Sequence, residues 1–214
     1  MPRAGLPSQT ATRGRDLDAY LAPFAAGYRC RMSSLVQWAS SHAEGLLGPL
    51  GARWAHVQVV AEQASRIAPA VLPADEREIL VAAAWLHDIG YAPALATTGL
   101  HPLDGARHLE ALGVDRRLCC LVAHHSGATF EAAERGYTAE LGAFEREDGP
   151  VMDALSYADM TTGPAGQRLT FEARIAEILE RYPPDHPVHR AISRSRPALA
   201  AAVERTARQL AGVG

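Results

Sequence analysis

The sequence has no lysine, few cysteines and no long apolar run. All 21 basic residues are arginine, so any cationic side chain that binds an anionic substrate must carry a guanidinium group. The three cysteines, Cys30, Cys119 and Cys120, lack the C-x-x-C spacing typical of disulfide-exchange and zinc sites. We interpret the adjacent pair as small buried side chains of a helix.

Other absences exclude classes of partner. No window reaches the roughly 18 consecutive apolar residues that a membrane span needs, and the N-terminal segment has no apolar core of a secretory signal. The formal net charge of −3 gives no basic surface typical of nucleic-acid-binding proteins. We therefore expect a cytoplasmic protein that binds a small molecule, and neither a membrane nor a nucleic acid duplex. The composition leaves its oligomeric state open.

Apolar residues recur at helical spacing along most of the chain. Residues 1–31 mix Pro, Gly, Ser, Thr and Arg without periodicity and predict a flexible tail. Residues 32–214 predict a single all-α domain of about seven to nine helices. These are expected near 33–47, 53–68, 75–88, 101–113, 115–125, 137–145, 150–160, 170–182 and 186–211, the last interrupted around Pro197. The polar, glycine-containing stretch between 125 and 137 is expected to connect two helices.

Histidine and aspartate residues interrupt the apolar helical segments. His87 and Asp88 end the run AAAWLHDIGY, His56 lies in RWAHVQVV, and Asp159 lies in ALSYADMTTG. Taken singly, each histidine would be interpreted as a hydrogen-bonded core residue, and each aspartate as a helix cap. Taken together, they would each need a separate buried partner, whereas one divalent cation would satisfy all of them. Imidazole with carboxylate is typical of Fe, Mn, Co, Ni or Zn sites.

The order His56, His87-Asp88 and Asp159 resembles the signature of the HD-domain superfamily of metal-dependent phosphohydrolases. The resemblance covers about residues 50–165, and LHDIG is its most specific part. It implies an all-helical HD-domain bundle, completed by C-terminal helices over 170–211, in which the four signature residues bind one metal.

Some relatives bind two metals, with the aspartate of the HD pair as the bridge and further histidines on the second ion. His101 in HPLDGA and His124 in AHHSG match those histidines. His125 could replace or join His124, because one two-metal subgroup uses a His-His pair at this point. The resemblance thus implies one or two divalent transition metals.

The sequence also departs from the two-metal relatives. They place a lysine shortly after the HD pair, where this chain has Tyr91, and no GYP triplet follows HHSG. Cyclic di-GMP is therefore disfavoured as a substrate. The predicted substrate-binding residues are Tyr91, Arg53, one turn before His56, and Arg168, nine residues after Asp159; for each arginine the alternative is an ordinary surface position.

The implied activity is hydrolysis of a phosphomonoester or phosphodiester by a metal-activated hydroxide. His87 and Asp88 are the expected catalytic residues. The substrate would be a nucleotide or another small phosphorylated metabolite. A diiron oxygenase is the main alternative, because some HD-domain proteins use the same ligand set to activate dioxygen. A regulatory metal-binding module without activity is a lesser one.

Overall fold

The structure is a computed structural model that describes residues 32–212, with side chains from residue 35 onward. The predicted tail, residues 1–31, lies outside the described residues. The α-helices are α1 (Met32–Leu47), α2 (Ala52–Val71), α3 (Arg77–Leu86), α4 (His101–Ala111), α5 (Arg116–His124), α6 (Ala128–Arg135), α7 (Thr138–Leu141), α8 (Pro150–Met160), α9 (Phe171–Arg181) and α10 (Pro187–Ala211). Short 3-10 turns lie at Gly48–Leu50, Ala74–Glu76, Ile89–Tyr91 and His125–Gly127.

The predicted all-α class is confirmed, because residues 32–212 contain no β-strand. Helix α7 is a single turn of four residues. The other nine α-helices of residues 32–212 agree with the predicted number of about seven to nine. Across residues 32–212 no helix is both long enough and apolar enough to cross a membrane.

Helix α6 lies where the sequence predicted only a connection. It is bounded by Gly127 and Gly136, both in the left-handed region with φ of 74° and 80°. Its inward side buries Ala128 and Ala132. Two turns between glycines are too short to show apolar periodicity, so the helix depends on its tertiary contacts.

Helix α10 runs through Pro197 without the predicted interruption. A proline in a helix interior removes one N–H donor and leaves the carbonyl one turn earlier without it. Pro197 and Ser193, whose carbonyl loses that donor, are both exposed, whereas Ile192 and Leu199 are buried. Water can therefore satisfy the carbonyl while the apolar face holds the helix together.

Helix α3 lies at the centre of the fold. It packs against α1, α2 and α8, and Ala82, Ala83, Ala84 and Leu86 have no exposed surface. Helix α10 covers α8 and α6, and α4 pairs with α5. Because α3 ends inside the core, the residues that follow it enter the protein interior.

Candidate metal centre

Six histidine and aspartate side chains from five helices or helix ends meet at the buried end of α3. They form two groups, and in each group the ligand atoms lie within 4.8 Å of one another. The first group draws on α2, the end of α3 and α8; the second draws on the end of α3, the start of α4 and the turn after α5. The members are His56, His87 and Asp159 in the first group and Asp88, His101 and His125 in the second.

The first group is almost completely buried. The Nε2 atom of His56 lies 3.1 Å from Oδ1 of Asp159 and 3.4 Å from Nε2 of His87. The third side, from His87 Nε2 to Asp159 Oδ1, is 4.0 Å. Both imidazoles have no exposed surface, so these atoms face one another without bulk water between them.

Asp88 joins the two groups. Its Oδ1 lies 3.2 Å from Nε2 of His101 and 3.7 Å from Nε2 of His125, and those two nitrogens are 3.1 Å apart. Its Oδ2 lies 3.5 Å from Nε2 of His87 and 3.7 Å from that of His56. One carboxylate oxygen therefore faces each group, as the position of a bridging ligand requires.

The histidine tautomers test whether a metal fits these groups. The rings of His56, His87 and His125 donate their Nδ1–H to the backbone carbonyls of Gly163, Ala84 and Val122, at 2.9, 2.7 and 2.7 Å. A carbonyl oxygen only accepts, so each neutral ring keeps its lone pair on Nε2. These lone pairs face carboxylate oxygens and one another, which is unfavourable unless a cation lies among them. The donor set of imidazole and carboxylate fits a divalent transition metal.

Gly90 of the LHDIG segment determines how closely His101 approaches. A Cβ atom on Gly90 would lie 1.9 Å from the carbonyl oxygen of His101 and 2.8 Å from the nitrogen of Gly105. The first turn of α4 therefore rests directly on the backbone after the HD pair. Any side chain at residue 90 would push His101 away from Asp88.

Ser126 has a strained backbone beside the first group. Its φ of 49° and ψ of 34° lie in the left-handed region, which residues other than glycine rarely adopt. The turn brings the Ser126 hydroxyl to Oδ2 of Asp159, to which it donates a hydrogen bond. The other oxygen of Asp159 stays directed at His56.

The electrostatics of the site favour ionised carboxylates. Burial alone would raise the pKa of Asp88, but Arg53 and then His87 outweigh it and hold that pKa well below its usual range. Burial alone would also raise the pKa of Asp159, but its contact with His56 and then the neighbouring His87 outweigh burial and lower that pKa. Carboxylates in this form are competent metal ligands.

The histidines respond to burial differently. Burial lowers the pKa of His87 to about 4 and also lowers the pKa of His101. Burial acts in the same direction on His125, but the neighbouring Asp88 carboxylate raises its pKa overall. His87 and His101 therefore favour the neutral form that binds metals.

His124 does not join either group, contrary to the prediction that it is a ligand. It is the last residue of α5, and its Nε2 donates to the carbonyl oxygen of Phe144 at 2.8 Å. His125 leaves the helix with an extended backbone, φ −62° and ψ 157°. This change of direction at the helix end points the two adjacent rings apart, and His125 takes the place beside His101.

Two of the predicted substrate-binding residues lie at the site and one does not. Arg53 contacts Oδ2 of Asp88, and its guanidinium lies 4.1 Å from the ring centroid of Tyr91. Tyr91 stacks on His101 with centroids 3.9 Å apart. Arg168, in contrast, does not line the cavity beside the two groups. Its Nη1 lies 3.4 Å from Oε1 of Gln63 on α2.

A cavity of about 70 Å³ opens beside the two groups. Its lining includes four polar residues that the sequence interpretation did not assign to the site, namely Ser126, Glu131, Arg174 and Arg181. Apolar side chains also line it, namely Met160, Ile178, Val188, Ala191 and Ile192. The sequence contains one indication that Arg174 is buried. It lies on the same face of α9 as the apolar residues Ile175 and Ile178.

Comparisons with known proteins agree with this geometry. The family model of the HD domain matches residues 53–184, which include both metal-binding groups and Arg174. Neither the curated proteins nor the solved structures give a match.

Proposed function

The chain belongs to the HD domain family, and we propose that it is a metal-dependent hydrolase of a small phosphate ester. The observation that supports this most directly is the pair of His/Asp groups joined by Asp88. HD domains bind divalent metals, and we propose that each group holds one ion, such as Fe or Mn. We further propose that residues 32–214 form a single HD domain.

A divalent ion in each group would supply charge that neutralises phosphoryl oxygens and would lower the pKa of a water molecule towards about 7. The residues of the chain prepare the site for it. Backbone carbonyls fix the tautomers of His56, His87 and His125, and Arg53 keeps Asp88 ionised and oriented. We assign His87 and Asp88 the central catalytic positions.

The dimensions of the cavity favour a compact substrate. Its volume of about 70 Å³ is well below the roughly 300–1,000 Å³ of pockets that enclose drug-sized ligands. Apolar side chains from α8, α9 and α10 form part of its lining. Between the two substrate classes implied by the sequence, these features favour a small phosphorylated metabolite with an apolar organic part over a nucleotide.

The test is a screen of phosphorylated metabolites with Mn- or Co-loaded protein under strictly anaerobic conditions. We expect turnover of a small phosphate ester, abolished in Asp88→Ala and retained in the control Asp185→Ala, which changes an exposed aspartate before α10. If the protein turns over its substrate only when both iron and oxygen are present, this proposal is wrong and the diiron oxygenase takes its place.

A further inference from the structure

Arg174 is a buried arginine whose guanidinium is incompletely paired. The residue is 5% exposed, and its Nη1 donates to Oε2 of Glu177 at 2.6 Å. Its Nε is buried without a hydrogen-bond partner, and its Nη2 lies 4.0 Å from Oδ1 of Asp159. An unpaired buried donor of this kind is costly and is uncommon without a functional reason.

The contact with Glu177 does not explain why Arg174 is buried. Glu177 also accepts hydrogen bonds from Arg181, including one of 2.9 Å from Nε, and its side chain is 27% exposed. This carboxylate therefore has another cationic partner and access to water. Arg174, in contrast, lines the cavity beside the metal-binding groups.

The charge balance of the cavity indicates what Arg174 binds. Three arginines and three carboxylates line it, so the side chains are balanced before any metal binds. Divalent ions in the two groups would leave the cavity with a net positive charge. Arg53 already contacts Asp88 and Arg181 already pairs with Glu177, whereas Arg174 retains free donors next to the ligand atom of Asp159.

We propose that Arg174 binds the phosphoryl group of the substrate, with Nη2 and a second N–H of its planar guanidinium directed at phosphoryl oxygens. The proposal rests on the phosphohydrolase function above. A guanidinium matches phosphate bidentately, which an ammonium does not.

The experiment measures the binding of inorganic phosphate to Mn-loaded protein by calorimetry, with Mn content and melting temperature determined for each variant. We expect Arg174→Gln to keep its Mn and to bind phosphate about tenfold more weakly or worse, because it loses charge-assisted hydrogen bonds. Arg174→Lys should be intermediate. The matched control is Arg196→Gln, which changes an exposed arginine of α10 paired with Glu172.

Three results would overturn the inference. If Arg174→Gln binds phosphate as the wild type does, phosphate lies elsewhere, and the hydrolase function stands. If both Arg174→Gln and Arg174→Lys lose Mn, Arg174 supports Asp159 and does not bind substrate. If Mn-loaded wild type binds no phosphate, the site is wrong, while the anaerobic metabolite screen tests the hydrolase function separately. Should Arg174→Gln fail to fold, Arg174→Lys decides between these outcomes.

Discussion

The Nε2 atoms of His56 and His87 lie 3.4 Å apart, although both rings donate their Nδ1–H to backbone carbonyls. Two lone pairs directed into one enclosed space repel each other, and Asp159 adds a carboxylate oxygen to the same space. The packing of α2, α3 and α8 holds these groups together in spite of this cost. A bound cation would remove the repulsion, and measurable consequences follow.

Metal binding should stabilise the folded protein. At a free metal concentration about 100 times the dissociation constant, the free energy of unfolding should rise by about 2.7 kcal/mol. Thermal denaturation with Mn and with a chelator measures the difference. His56→Ala and Asp159→Ala should lose the part of this stabilisation that comes from the first group. His189→Ala, which changes a histidine of α10 that donates to the carbonyl of Tyr182, should retain all of it. Equal melting temperatures with and without metal in the wild type would contradict the prediction.

The two adjacent histidines after α5 should differ in metal binding. His125→Ala removes a member of the second group, so we expect about half of the bound metal to be lost, as for one of two separate sites. His124→Ala removes a ring bonded to the Phe144 carbonyl and should keep the full complement. Elemental analysis of both purified variants checks this. The reverse pattern would return His124 to the role that the sequence first predicted for it.

Gly90→Ala should destabilise the protein and loosen the second group. The new methyl group would collide with the His101 carbonyl at 1.9 Å, and overpacking of this kind costs about 1–3 kcal/mol or more. Gly48→Ala is the control, because the nearest atom to its Cβ is 4.0 Å away on the side chain of Glu44. Urea denaturation measures stability, and metal titration measures the displacement of His101. Equal stability of the two variants would show that α4 can shift freely.

The stability of the protein should depend on pH through His42 and His108. Their Nε2 atoms are 2.9 Å apart, and His42 also stacks on Trp38. Burial, and then the neighbouring His108, lower the pKa of His42 to about 4. An unfolded histidine has a pKa near 6.5, so on acidification the unfolded chain takes up this proton before the folded protein does.

Stability should therefore fall as the pH drops from about 6.5 to about 4, by up to about 3 kcal/mol from this residue. His42→Phe retains an aromatic ring beside Trp38 but cannot take up a proton. Its free energy of unfolding, measured by urea denaturation at several pH values, should decrease less steeply than that of the wild type. Identical slopes would show that His42 takes up its proton at the same pH in the folded and unfolded protein.

The sequence by itself determined the helical class, because apolar periodicity survives in almost any tertiary context. It also identified the residue types of the site, since histidine and aspartate stand out on apolar helix faces. His56, His87, Asp88, His101 and Asp159 all lie in the two groups, and the resemblance to the HD-domain signature and its two-metal relatives implied each of them. Their metals and reaction remain proposals.

Only the tertiary structure decided between neighbours and between distant parts of the chain. His124 and His125 are equivalent in sequence, and the backbone dihedrals at the end of α5 determine which ring faces Asp88. Arg168 is closer in sequence to Asp159 than Arg174 is, yet Arg174 faces the cavity because α9 packs against α10 and α8. Spacing along a chain specifies which face of a helix a residue occupies; the packing of that helix specifies what the face meets.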